Sequence, residues 1–213
     1  YNLSGTPWTK PRHRGKLLLV AGQVEGDASI RLGSFGLKTN LGLLQRVRRE
    51  NPEDYVVYKP HPDVVSGLRA AGAEEASAGN HCDAIVASTP LHAMIDAADE
   101  VHVNTSLAGF EALLRGKKVV TYGQPFYAGW GLTEDRDPPP RRQRKLSLDE
   151  LVAGSLIRYP LYRSGLSGRS CDAEQVVDEL ANGLPGLRPS ALEFLLAKLS
   201  GTRFWYRFCP EQV

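Results

Sequence analysis

The chain has 213 residues, enough at about 100–200 residues per domain for one α/β domain with an appendage. Hydrophobic residues make up 42% and charged residues 23%, the balance of a folded globular chain rather than a disordered one. Lys and Arg number 26 against 24 Asp and Glu, and no apolar run reaches the roughly 18 residues of a membrane span, so neither an electrostatic nucleic-acid binder nor a transmembrane protein is indicated.

Residues 1–15 are polar and proline-containing, with neither an initiator Met nor the apolar core of a signal peptide. They read as a leader or linker, and the chain as a segment of something longer. From residue 16, short β-rich runs alternate with helical patterns. The predicted strands are Lys16–Ala21 (KLLLVA), Tyr55–Tyr58 (YVVY), Ala84–Ala87 (AIVA), Glu100–Val103 (EVHV) and Lys117–Tyr122 (KKVVTY). Their apolar runs are nearly continuous, as strands buried on both faces require.

Between them, Asn40 is the predicted cap of a helix carrying Leu41, Leu44 and Val47. Helices are also predicted over Asp63–Ala71, over Thr89–Ala98 with Pro90 in its first turn, and over Ser106–Arg115 with Gly116 as its stop. This order predicts an α/β fold, a Rossmann-like parallel sheet flanked by helices. After it, Asp137–Lys145 (DPPPRRQRK) reads as a solvated, partly extended connector, and Ser147–Glu150 as a capping box opening a helix through Ile157. Further helices are expected over Asp172–Asn182 and Ala191–Leu199, followed by an aromatic tail, Arg203–Phe208. That tail reads as packing on a partner surface, with a membrane-surface contact as the weaker alternative.

Cys82, Cys171 and Cys209 are odd in number and widely spaced, which fits reduced thiols and excludes a disulfide scaffold or a local zinc site. The glycosylation sequons at Asn2 and Asn104 are read as chance in the absence of a secretion signal.

In open α/β sheets ligands bind beyond the carboxyl ends of the strands, and the unusual residues gather there. The first strand is followed by G-Q-V-E-G-D-A-S-I (22–30), in a connection running to about Thr39 that is too long for an ordinary βα loop. Glu25 and Asp27 are its candidate nucleophiles or bases, with solvated carboxylates as the alternative. It lacks the G-x-G-x-x-G fingerprint, which disfavours a nicotinamide enzyme.

The second strand leads into Lys59-Pro-His-Pro62, where two prolines clamp His61 beside an ammonium, an arrangement suited to a phosphate. His13, His81, His92 and His102 have no such setting and read as surface or core. After the fourth strand, Asn104-Thr105-Ser106 opens a helix whose first turn suits an anion, or simply caps itself. On that helix Leu107, Phe110 and Leu114 form the predicted buried stripe, and Glu111 falls on it. The aromatic, glycine-rich run Gly123–Gly131 could wall a sugar or base. No carboxylate pair for a nucleotide-bound metal is evident, so no metal cofactor is expected.

The runs G-Q-V-E-G-D-A-S-I (22–30), Y-K-P-H-P-D (58–63) and T-S-L-A-G-F-E-A-L-L-R-G-K-K-V-V-T-Y-G-Q-P-F-Y-A-G-W-G-L-T (105–133), with R-R-Q-R-K-L-S-L-D-E-L-V-A-G-S-L-I-R-Y-P (141–160), resemble the capsular polysaccharide biosynthesis and export family, specifically its retaining β-Kdo transferases. The resemblance covers about residues 16–165, leaving 166–213 as a helical C-terminal extension. It implies one half of a GT-B architecture, a CMP-sugar-binding domain. The implied activity is retaining transfer of 3-deoxy-D-manno-oct-2-ulosonic acid (Kdo) from CMP-Kdo to lysophosphatidylglycerol or a Kdo-bearing lipid, without a metal or other cofactor.

By the same resemblance Asp27 is the implied nucleophile, with Glu25 close enough to compete, and His61-Pro62 the motif that holds the CMP phosphate. Thr105 and Ser106 would bind that phosphate and Glu111 the ribose, with Gln23, Glu25, Lys59 and Gln124 also on the donor side. Implied partners are an acceptor-binding half and capsule-assembly proteins, not nucleic acid. The implied location is the cytoplasm, peripheral to the inner membrane. Because a GT-B site needs two Rossmann halves and this chain supplies one, a CMP-sugar-binding module without turnover is the competing expectation.

Overall fold

The structure, a computed structural model, describes residues 8–12, 15–72 and 74–182. These fall into two compact units that divide after Leu148, whereas the motif pattern places the boundary at 165/166.

The first unit is built on six strands, β1 (Leu17–Ala21), β2 (Tyr55–Lys59), β3 (Ala84–Ile85), β4 (Glu100–Val103), β5 (Lys118–Thr121) and β6 (Glu134–Asp135). They form one sheet in the order β3-β2-β1-β4-β5-β6, and every pairing is parallel. The five predicted strands are all present. Only β6 was not foreseen, because a two-residue edge strand carries no apolar run.

Side chains alternate across this sheet as the pleat demands. Leu18, Val20, Val56, Tyr58, Val120 and Tyr122 form one buried cluster with Leu43, Leu44 and Val47 of α2 (Asn40–Glu50). Also on the sheet lie α4 (Leu91–Ala97), which packs on β1, and α5 (Leu107–Leu114), which packs on β4 and β5. The remaining helices of this unit are short: α1 (Ala28–Gly33), inside the long first connection, α3 (Pro62–Val65), and a 3₁₀ helix over Glu75–Asn80.

Several helix boundaries differ from the sequence pattern, each for a local reason. Thr39, not Asn40, caps α2, its hydroxyl accepting the Gly42 N–H at 3.0 Å. Asn40 is the first helical residue and is buried. The helix expected over Asp63–Ala71 stops at Val65, because Gly67 takes a φ of +73° that ends the turn. Pro90 occupies the cap position of α4 rather than its first turn.

The Asp137–Lys145 connector is largely exposed, as expected, but it is pinned at two points. Pro139 is buried, and Arg142 donates to Pro125 O and, at 2.7 Å, to Ala128 O while its guanidinium lies 5.3 Å over the Trp130 ring. Burial at this position lowers the Arg142 pKa from its ordinary value.

In the second unit α6 (Leu148–Val152) runs into a π-helical turn, Ala153–Arg158. A small antiparallel hairpin follows, β7 (Tyr162–Arg163) with β8 (Ser170–Cys171), and then α7 (Ala173–Ala181). Glu179 of α7 holds that hairpin's turn, accepting from Ser164 Oγ at 2.6 Å and Gly165 N–H at 2.8 Å, and the Ser164 bond lowers its pKa. The helix and aromatic run expected beyond residue 190, and His13, lie outside the described residues.

Candidate active site

With β1 and β4 adjacent at the centre, connections leave the sheet in opposite directions from this point, and the crevice between them is the ligand position of doubly wound folds. Here the first connection is laced to the loops after β4 and β5. The Gln23 amide spans the crevice: Thr105 N–H donates to its Oε1 at 2.8 Å, and its Nε2 donates to Thr105 Oγ1 at 3.0 Å. Ser34 Oγ donates to Asn104 Oδ1 at 2.8 Å, Asn104 Nδ2 to Leu37 O at 2.6 Å, and Gln124 N–H to Gly33 O at 2.7 Å.

Gly123 is required at this junction, since a Cβ there would run into Asn104 Oδ1 and Gly33 O. A cleft of about 440 Å³ opens over the lacing, with Ser29, Leu32, Gly33, Thr105, Gln124 and Phe126 among its lining residues.

The two candidate carboxylates of the first connection have different surroundings. Glu25 Oε1 accepts the Asn40 N–H at 2.6 Å, serving the orphan donors at the start of α2, and it packs against Gly72. Asp27 occupies the cap position of α1 without a side-chain capping bond. It is paired instead with Arg69, Nη2 to Oδ1 at 2.6 Å, and both side chains are almost half exposed.

His61 caps α3, its Nδ1 accepting the Asp63 N–H at 3.2 Å. Asp63 Oδ2 stands 4.0 Å from the same nitrogen. An acceptor Nδ1 places the proton of the neutral ring on Nε2, leaving that edge as a donor. Pro62 is the first residue of α3 and fixes this geometry.

Lys59 does not place its ammonium beside the imidazole. Buried at the end of β2, its Nζ donates to Ala87 O at 3.2 Å and Thr89 O at 2.6 Å, and burial lowers its pKa. It secures the loop after β3.

At the start of α5, Ser106 Oγ accepts the Ala108 N–H at 3.2 Å, so it caps the helix. The stripe expected on α5 is displaced: Ala108, Phe110, Ala112 and Leu113 are buried, whereas Leu107 and Leu114 are exposed and Glu111 is half-buried among them. The carboxylate therefore lies on the open side of the helix, not in the core. Of the aromatics after β5, Tyr127 is fully buried with its hydroxyl on Ser106 O, and Phe126, partly exposed, reaches the cleft.

Of the candidate residues, Gln23, Glu25, Asp27, Lys59, His61, Thr105, Ser106 and Gln124 follow or end strands of the sheet, whereas Glu111 lies within α5. The sequence pattern missed Arg69 and Asn40. Arg69 follows a helix stop and carries no motif. Asn40 reads as an ordinary cap, yet its side chain brackets the Gln23 backbone with bonds of 2.9 and 2.8 Å. The strand order of doubly wound folds would have signalled the Gln23–Thr105 pairing, since it sets the loops after β1 and β4 side by side. Among the described residues no three His, Cys, Asp or Glu side chains gather closely enough to hold a metal, and no helix is long and apolar enough to cross a membrane.

The profile described as capsule polysaccharide biosynthesis protein matches residues 8–169. Over 174 residues the chain is 49% identical to the capsule polysaccharide modification protein LipA of Neisseria meningitidis serogroup B, covering 82% of this chain and 25% of LipA. It is 47% identical over 171 residues to the lipopolysaccharide-processing protein LpsZ of Rhizobium meliloti, covering 79% of this chain and 39% of LpsZ.

Two solved structures of Thermosulfurimonas dismutans KpsC share the fold. One, titled a beta Kdo 2,7 transferase, matches with a TM-score of 0.74 and 51% identity over 82% of this chain and 56% of that one. The other, titled a beta Kdo 2,4 transferase, matches with a TM-score of 0.70 and 28% identity over 83% and 55%. The chain thus spans from a quarter to just over half the length of these relatives. It belongs to the capsule polysaccharide biosynthesis protein family.

Proposed function

We propose that this chain is the donor-binding half of a retaining Kdo transferase of capsule assembly, taking CMP-Kdo at the carboxyl edge of its sheet. The observation that carries the reading is the division of labour at that edge. His61 has its Nδ1 occupied and its Nε2 left to donate, while Glu25 is committed to the backbone of α2 and Asp27 is not. That favours Asp27 over Glu25 as nucleophile. The titles of the KpsC structures support Kdo as the transferred sugar.

In this mechanism a carboxylate oxygen of Asp27 bonds to the anomeric carbon as the bond from that carbon to the phosphate oxygen breaks. The electron pair leaves with CMP, and the His61 Nε2–H hydrogen-bonds the departing phosphate. The acceptor hydroxyl then displaces Asp27 with loss of its proton to solvent, and two inversions preserve configuration. Ser106 and Thr105 at the start of α5 would face the phosphate, and Glu111, on the open face of that helix, the ribose. Gln23 and Lys59 serve by holding loops, and Gln124 lines the cleft.

The acceptor, lysophosphatidylglycerol or a Kdo-bearing lipid at the cytoplasmic face of the inner membrane, would be held by an acceptor-binding half. Capsule-assembly proteins are the wider partners. No metal is required by this chemistry.

The test is Kdo transfer from CMP-Kdo to a synthetic acceptor, run beside calorimetry with CMP. Asp27→Asn is expected to lower transfer by about 10³-fold or more and His61→Ala by about 10²–10³-fold, with Glu25→Gln retaining turnover. Undiminished transfer by Asp27→Asn would remove Asp27 from its role. CMP binding without any transfer by the unaltered chain would identify a donor-binding module instead.

A further inference from the structure

Arg69 links the segment that His61 caps to Asp27, and no motif marks it. Its backbone N–H donates to Asp63 O at 2.9 Å, tying it to the helix that His61 caps. Its side chain crosses to the first connection, with Nη2 2.6 Å from Asp27 Oδ1. Both side chains of this pair are 44–45% exposed, so the guanidinium is held by a solvent-facing contact that exchanges readily for another anion. Asp27 uses one arm of a group that carries five N–H donors in a planar fork.

The chemistry of the donor gives the remaining donors an occupant. In a 2-ulosonic acid the carboxylate is bonded directly to the anomeric carbon. A nucleophile within attack distance of that carbon, about 3–3.5 Å, is therefore brought against a second carboxylate. Two like charges at that spacing repel, and a guanidinium already on one of them can bridge both. An aldose donor has a hydrogen at that carbon and leaves the fork unused.

Resting on the donor reading, we propose that Arg69 binds the donor's carboxylate while steering Asp27, and so selects a ulosonic acid over an aldose. Calorimetry on the complete chain with CMP and with CMP-Kdo tests this. The unaltered chain binds CMP-Kdo more tightly than CMP. Arg69→Met erases that preference, a loss of about tenfold or more, and leaves CMP affinity within about twofold; Arg69→Lys restores part of it. Asp27→Asn, which frees the guanidinium, keeps or strengthens the preference.

Unchanged CMP binding also shows that the Met variant is folded. A preference that survives Arg69→Met, or an equal loss for both ligands, overturns the role of Arg69. So does a chain that binds CMP with no preference for CMP-Kdo. A wild-type chain that binds neither ligand fails the donor reading itself.

Discussion

Glu100, on the central strand β4, is buried with Lys16 Nζ at 2.6 Å, Lys118 Nζ at 3.2 Å and the His102 ring nitrogen at 3.6 Å. His102 and these two ammonium groups hold its carboxyl well below the usual carboxylate range. An unfolded Glu titrates near 4.3, so the unfolded chain binds a proton that the folded chain refuses. The stability this supplies is complete above about pH 5 and is lost as pH falls from there towards the depressed folded value. Glu100→Gln is expected to cost about 1–3 kcal/mol at pH 7 and to flatten the acid limb, read from urea unfolding at pH 7 and pH 4. The sequence placed Glu100 and His102 on a strand but not in a network, because Lys16, just before β1, and Lys118, on β5, reach it from either side of β4. His61 and Asp27 stand out as candidates for the opposite reason. Prolines and a long loop mark them locally, with no need to know what folds beside them.

Among elements, the long first connection owes its shape to partners distant in sequence. Gln23 and Thr105 meet only because β1 and β4 are neighbours, so the residue expected to touch ligand is instead engaged with backbone and hydroxyl. Gln23→Ala is expected to speed hydrogen exchange of the Thr105 amide by about tenfold or more, since removing the acceptor forfeits about 1–2 kcal/mol of local protection. Gln23→Glu retains an acceptor and should preserve most of that protection, and both are read by NMR on the ligand-free chain. On α5 the displaced stripe has a cause in Tyr127, whose ring fills the space above Gly109. Gly109→Ala would drive a methyl into that hydroxyl and into Val103, and is expected to cost about 1–3 kcal/mol in thermal or urea unfolding. Periodicity located this helix, but the burial of its faces depended on an aromatic from the loop after β5.

For the whole molecule, the strand order was legible as a class from alternating β and α patterns, while β6, the hairpin β7–β8 and the packed connector were not. Each of those rests on a few residues with no periodic apolar pattern to mark them, Arg142 on the carbonyls of 125 and 128 being the plainest case. If the donor reading holds, CMP at about 100 times its dissociation constant should stabilise the chain by about 2.7 kcal/mol, raising the melting temperature by about 5–10 °C. Uridine monophosphate under the same conditions is the control.

The central place of β1 also has a consequence during synthesis. Its apolar run, Leu17–Ala21, pairs with β2 on one side, but its other edge is closed only by β4, roughly 80 residues later. At about 5–20 residues per second, that edge stays open for about 4–16 s on the ribosome. A truncation ending before Glu100 would leave it open permanently, and such a fragment is expected to aggregate or to be captured by chaperones, whereas one extending through Thr121 can close it.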